Sequence, residues 1–184
     1  MSARVLAMSQ PPAPNAPFMR DERAGDEELA QEAEELAAQL EELDGSARVR
    51  AEGRLGELLR MLDRYSEAET HLRAALETAV ATGDQRAEVA NRLRLATALQ
   101  YQERHHEALE QFDLTEDAIA AHELEEDYSD FAAQHRGKCL VELGRVEEGI
   151  GELERALELR ERKGDPELLA STDAAIEFAR DLLE

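Results

Sequence analysis

The stretch "LGELLRMLDRYSEAETHLRAAL" (Leu55–Leu76) decides how the rest of the chain is read. Its leucines and alanines recur at helical spacing. Gly56 nevertheless sits inside the pattern, where glycine costs a helix about 1 kcal/mol relative to alanine. The segment "LDRYSEAE" predicts a break, with Ser66 as N-cap and Glu69 as its capping-box partner. Two helices joined by a tight turn are expected, and the glycine is expected where they press together.

The pattern returns twice. "LATALQYQERHHEALEQFDLTE" (Leu95–Glu116) and "RGKCLVELGRVEEGIGELERAL" (Arg136–Leu157) align with it at intervals of 40 and 41 residues. Gly56 becomes Ala96 and Gly137; Leu59 becomes Leu99 and Leu140; Arg64 becomes Arg104 and Arg145. Ala68 becomes Ala108 and Gly149, and Leu72 becomes Phe112 and Leu153. Arg136 departs from the pattern by standing where Leu55 and Leu95 stand. Three copies near one period are the signature of a solenoid, in which each unit buries its apolar face only against its neighbours.

The spacing small–x–x–Leu, then Ala–x–x–x–large apolar, resembles the tetratricopeptide repeat (TPR). Leu55-Gly56-x-x-Leu59, followed by Ala68 and Leu72, carries the resemblance most fully. The leading Trp and closing Pro of that pattern are missing, and the period exceeds the usual 34 residues. The chain therefore looks like the long-period TPR proteins used as scaffolds and regulators. The resemblance covers about residues 47–163. It implies an all-α, right-handed TPR-like α-solenoid of antiparallel helix pairs with flanking capping helices.

Punctuation along the chain agrees with this division. "TGDQ" has Gly83 as a helix stop and Asp84 as an N-cap; "KGDPE" has Gly164, Asp165 and then Pro166 at a first helical position. Repeats are expected at about 47–84, 85–125 and 126–164, within a repeat domain spanning 26–184. A capping helix is expected at about 27–43, with Leu29, Ala33, Leu36, Leu40 and Leu43 as its apolar stripe. A second is expected at about 166–183. Residues 1–25 hold four of the five prolines and no helical period, and are read as a disordered Pro-rich tail. Met8 and Met19 stand within it as alternative starts.

Composition narrows the function classes. The 184 residues carry a formal net charge of −22, with 4% aromatics and no Trp. A core must then be built from Leu, Ala and Val, and the chain repels nucleic acid and anionic membranes. Cys139 is the only cysteine, so neither a disulfide framework nor a thiolate metal cluster is available. No stretch has the length and apolarity of a membrane span or signal peptide, so a cytoplasmic protein is expected. No phosphate-binding, nucleophile-elbow or zinc-protease motif occurs. His105-His106 is a local pair, but adjacent helical residues face different ways. No cofactor, metal or catalytic residue is assigned, and the chain is not expected to be an enzyme.

The TPR resemblance implies that the first helix of each pair lines a concave peptide-binding groove. The matching segments are about 46–62, 85–102 and 126–143. The repeat register then builds columns: Arg54, Arg94 and His135; Glu57, Thr97 and Lys138; Met61, Tyr101 and Glu142. With Arg50 they form the expected groove set. The arginines would hold an acidic or carboxylate-bearing segment of another protein, or else pair with the surplus glutamates nearby. Gly53 and Glu57 occupy places where chaperone-binding TPRs carry Lys and Asn, so chaperone-tail binding is not implied. The expected product is an interaction module, monomeric or weakly self-associating. A second reading keeps the fold and assigns self-association through the repeat faces or caps. A third, a helical enzyme with a His/Cys site, has no positive motif behind it.

Overall fold

A computed structural model describes residues 26–184. The tail expected over residues 1–25 lies outside the described residues. Those described form eight α-helices and no strand: α1 (Asp26–Gln39), α2 (Gly45–Met61), α3 (Tyr65–Thr82), α4 (Gln85–Tyr101), α5 (His105–Ala121), α6 (Glu125–Glu142), α7 (Val146–Lys163) and α8 (Pro166–Asp181). A 3-10 turn over Leu40–Glu42 follows α1. From α2 onward the connections are two or three residues long, so consecutive helices pack antiparallel.

The short turns work because each contains one residue in the left-handed region. Asp63, Glu103 and Gly144 have φ of 58°, 61° and 83°; Gly83, Glu123 and Gly164 have 70°, 56° and 74°. Both series repeat at intervals of 40 and 41 residues. In the first series the next backbone N–H reaches back over the helix end: Arg64 to Leu59 O (2.8 Å), Arg104 to Leu99 O (3.0 Å) and Arg145 to Leu140 O (2.9 Å). This is the bond of a Schellman motif, which satisfies an orphan carbonyl. The same three arginines then act as N-caps of the following helices, and each pairs its guanidinium with a glutamate three residues on: Glu67, Glu107 or Glu148.

That finding corrects the expected capping box. The helix begins at Tyr65, its N-cap is Arg64, and Ser66 lies inside the first turn. Glu69 reaches Arg73, Gln102 and Arg104 instead of the helix start. Asp84 and Asp165 do cap with their side chains, accepting from Ala87 N, and from Glu167 N and Leu168 N.

Each helix pair closes on a point with little side chain. A Cβ on Gly137 would lie 2.9 Å from Gly149 O, and one on Gly149 would lie 2.8 Å from Gly137 O. The α6 and α7 backbones therefore touch. In the preceding pair Ala96, Ala108 and Phe112 are all fully buried at the same register. Leucines fill the remainder, with Leu55, Leu58, Leu59, Leu72, Leu95, Leu99 and Leu140 in one cluster. Arg136 replaces a core leucine because Asp113 of α5 and Glu152 of α7 both receive its guanidinium.

Besides their neighbours in sequence, α2 contacts α4, α4 contacts α6 and α6 contacts α8. Among the described residues α3, α5 and α7 make no such contact with one another. One layer of helices is thus in mutual contact and the other is splayed. The last helix is fastened by buried charge. Arg160, 2% exposed, donates to Asp130, to Thr172 Oγ1 and to Leu168 O, while Lys163 Nζ lies 2.5 Å from Asp130. A charge so buried is tolerated only with partners of this kind.

Candidate functional site: a cavity across three helices

The contacting layer carries an open cavity of about 330 Å³. Helix α2 contributes Glu57 and Arg60; α4 contributes Ala90, Leu93, Arg94 and Thr97; α6 contributes Asp127, Tyr128, Phe131 and His135. Its lining combines apolar and aromatic side chains (Ala90, Leu93, Tyr128 and Phe131) with charged ones of both signs (Glu57, Arg60, Arg94 and Asp127). No single repeat contains the site, because each helix supplies only one side.

Two of its walls are held from behind by cations on aromatic rings. The Arg60 guanidinium lies 4.9 Å from the Tyr101 ring centroid, and Tyr101 meets Tyr65 edge-on at 6.1 Å. Phe131 has Arg160 at 5.4 Å and Lys163 at 5.6 Å from its ring centroid. Such contacts are worth about 0.5–2 kcal/mol each, more where water is excluded. Phe131 is thereby tied to the buried Asp130–Arg160 cluster and, through Thr172, to α8. At the rim, Arg86 pairs with Asp127 at 2.8 Å.

The expected basic column is largely neutralised. Arg54 holds both carboxylate oxygens of Glu32 on α1, at 2.8 and 2.9 Å, and reaches Glu57 at 3.2 Å. Arg94 lies 3.5 Å from the same Glu57 oxygen. An ion-pair chain Glu32–Arg54–Glu57–Arg94 therefore runs from α1 across α2 to α4. The Arg54 hydrogen bonds hold the Glu32 carboxyl below its ordinary range.

Of the expected groove residues, Glu57, Arg94, Thr97 and His135 line the cavity. The rest lie elsewhere. Arg50 is exposed on α2. Arg54 is occupied as described. Met61 packs against the main core, and Tyr101 supports Arg60 from outside the cavity. Lys138 and Glu142 are each 4% exposed, and Glu142 accepts from Gln100 at 3.0 Å.

Sequence reasoning missed Arg60, Ala90, Leu93, Asp127, Tyr128 and Phe131. The register offered one signal, since Arg50, Ala90 and Phe131 share a column. Each column supplies at most two of its three members, because the cavity runs diagonally. It takes the C-terminal half of α2, the middle of α4 and the N-terminal half of α6. Arg94 and His135 line it together, as do Glu57 and Thr97, while Arg54 and Lys138 of the same columns fall outside.

The histidines bridge helices and do not converge. His71 Nδ1 lies 2.6 Å from the buried Glu52, His122 lies 3.4 Å from Glu88, and His105 lies 3.7 Å from Glu142. Cys139 is fully buried, with Sγ 3.6 Å from His105 O. Among the described residues no three His, Cys, Asp or Glu side chains are grouped to hold a metal ion, and no helix is long and apolar enough to cross a membrane. No protein-family model matches the chain, and no curated protein matches it.

Proposed function

We propose that this protein is an interaction module that takes a segment of another protein in the cavity across α2, α4 and α6. The observation that carries the reading is the composition of that cavity. Apolar and aromatic Leu93, Tyr128 and Phe131 stand beside Arg60, Arg94 and His135, with the carboxylates Glu57 and Asp127 already paired to Arg94 and Arg86, and the site forms only where three helices meet. Such a site fits one large apolar side chain with a carboxylate close by. Arg94 already shares Glu57 with Arg54, so an incoming carboxylate exchanges for or joins an existing partner and does not meet bare charge. This reading also takes the fold as a right-handed TPR-like solenoid working in the cytoplasm. The repeated turns at 40- and 41-residue intervals and the contacting layer α2–α4–α6–α8 support the solenoid part of that reading.

The experiment is capture from native cell extract with the full-length protein, run beside a Phe131→Ala, Arg94→Glu variant and an Arg50→Glu variant. A partner kept by wild type and Arg50→Glu but lost by the double variant supports the reading. Equal retention by all three overturns it.

A further inference from the structure

We infer that Arg160 is a positioning residue for the cavity: it fixes the Phe131 ring and makes that wall depend on the docking of α8. The consequence for binding rests on the reading of the cavity as a groove for protein segments; the link from Phe131 to α8 does not.

Asp130 stands where the earlier repeats carry Val49 and Val89, and Arg160 where they carry Ala79 and Ile119. All six residues are buried, and Val89 and Ile119 share an apolar cluster. The third repeat has thus exchanged apolar residues for an ion pair. Burial pushes Arg160 below its ordinary pKa even with Asp130 beside it. Replacing a buried ion pair by apolar residues is often neutral or stabilising, so stability alone does not account for the exchange.

The exchange sits in the repeat whose α6 gives Phe131 to the cavity and whose α7 leads into α8. The Arg160 guanidinium lies 5.4 Å from the Phe131 ring centroid, outside the cavity lining. Its Nε donates to Asp130, the residue before Phe131, at 3.3 Å. Its Nη1 donates to Thr172 Oγ1 at 2.7 Å and to Leu168 O at 3.2 Å, both on α8. One planar fork therefore meets the ring, the carboxylate next to it and the first turns of α8. Directional hydrogen bonds fix an angle that an apolar contact leaves free.

The other charges here are few. Lys163 reaches the same Asp130 and lies 5.6 Å from the Phe131 centroid, and Asp165 acts on Arg160 through space. The Lys163 side chain is 33% exposed and that of Arg160 3%, so the enclosed cation is the one bonded to α8. When α8 loosens, Arg160 loses two acceptors and the ring loses a fixed neighbour. Reciprocally, whatever steadies the ring in the cavity steadies α8.

The test uses the full-length protein carrying 4-fluorophenylalanine, read by fluorine NMR. The Phe131 resonance is identified by its loss in Phe131→Leu. Thr172→Val removes an Arg160 acceptor on α8. It is expected to move the Phe131 resonance beyond its linewidth and to leave that of the fully buried Phe112 in place. Thr172→Ser keeps the hydroxyl and should keep the wild-type resonance. An unmoved resonance in Thr172→Val, or an equal move in Thr172→Ser, overturns the proposal.

A second arm restores the apolar pair with Asp130→Val plus Arg160→Ile. Its urea midpoint is expected at or above that of wild type; a midpoint well below shows a pair that only holds the fold, and overturns the proposal. N-acetyl-L-phenylalanine, an apolar ring beside a carboxylate, is then titrated and followed at the Leu93, Thr97 and His135 amides. It should bind wild type about threefold or more tighter than it binds Thr172→Val or the double variant. Equal affinity in all three proteins overturns the positioning role. If the double variant does not fold, Thr172→Val decides. If the probe shifts no amide of wild type, the groove reading falls, and the fluorine resonance alone decides the link to α8.

Discussion

Gly56 of α2 and Leu72 of α3 approach so closely that a Cβ on the glycine would lie 2.5 Å from Leu72 Cγ and 2.8 Å from its Cδ2. Both residues are buried, with Ala68 O a further 3.2 Å neighbour of that hypothetical atom. Alanine at this position recovers about 1 kcal/mol of helix propensity but forces the helices apart, at about 1–3 kcal/mol for overpacking. Gly56→Ala is expected to be neutral to about 2 kcal/mol destabilising, and Gly56→Leu to prevent folding. Adding Leu72→Ala to Gly56→Ala should cost less than the sum of the two single changes. Urea midpoints at constant slope measure all three.

The turn register makes a second prediction. Glu103 and Glu123 hold φ of 61° and 56°, where the matching residues of other repeats include Gly144, Gly83 and Gly164. A left-handed non-glycine residue costs about 1–2 kcal/mol, while added glycine loses about 0.5–1 kcal/mol through the unfolded chain. Glu103→Gly and Glu123→Gly are therefore expected to raise stability by up to about 1 kcal/mol by that difference. Gly144→Ala should lower it. Thermal midpoints will show the opposite signs.

The charge cluster behind Phe131 gives a third. Asp130 is fully buried and holds both Arg160 and Lys163. Asp130→Ala leaves those cations without it and is expected to cost about 3–5 kcal/mol. Thr172→Val removes one hydrogen bond to Arg160, for about 1–3 kcal/mol. Hydrogen exchange in α8 should quicken in both variants, since Thr172 and Leu168 are its links to Arg160.

Acid sensitivity follows from the inter-repeat pairs. Burial raises the Glu69 carboxyl, but hydrogen bonds from Gln102, Arg73 and Arg104 together outweigh it and leave it below its usual 4.5. Arg54 likewise lowers Glu32. A carboxyl lowered in the folded state stabilises fully above its unfolded value and loses that contribution as pH falls through the folded one. Stability should therefore decline as pH drops below about 4.5. Glu69→Gln should flatten that decline, measured by urea midpoints from neutral pH downward. An unchanged slope would remove Glu69 from the account.

At the cavity itself, Phe131→Ala is expected to weaken partner binding by about 2 kcal/mol, roughly 30-fold. Arg50→Glu, one column member outside the cavity, should leave affinity within about twofold, or 0.4 kcal/mol. A titration of the captured partner against both variants distinguishes the diagonal site from the column.

Much of the architecture is legible in the sequence. The repeat of Gly56, Ala96 and Gly137 located three helix–helix contacts, and the stops at Gly83 and Gly164 placed helix ends. The expected segments 46–62, 85–102 and 126–143 compare with α2, α4 and α6 as described. Local chemistry sufficed because helical period, capping and left-handed turns are properties of neighbouring residues. The misread cap at Ser66 shows the limit. The pattern S-x-x-E was present, but the Schellman turn through Asp63 and Arg64 had already started the helix, and Arg73, Gln102 and Arg104 took Glu69.

The pairing of arginines and the shape of the cavity belonged to the tertiary structure alone. Arg54 and Arg94 are equivalent in sequence, yet one is tied to Glu32 of the preceding helix and the other opens onto a cavity. Register sets which residues repeat, but not which ones meet, because successive helices are displaced and the cavity crosses them at a slant. Phe131, a cavity wall, has Arg160 and Lys163 against its ring, and these stand some 30 residues further along the chain. One-dimensional order can carry a period. Which side chains converge depends on the angle between helices, and that is set by close contacts such as Gly56 on Leu72 summed over the whole stack.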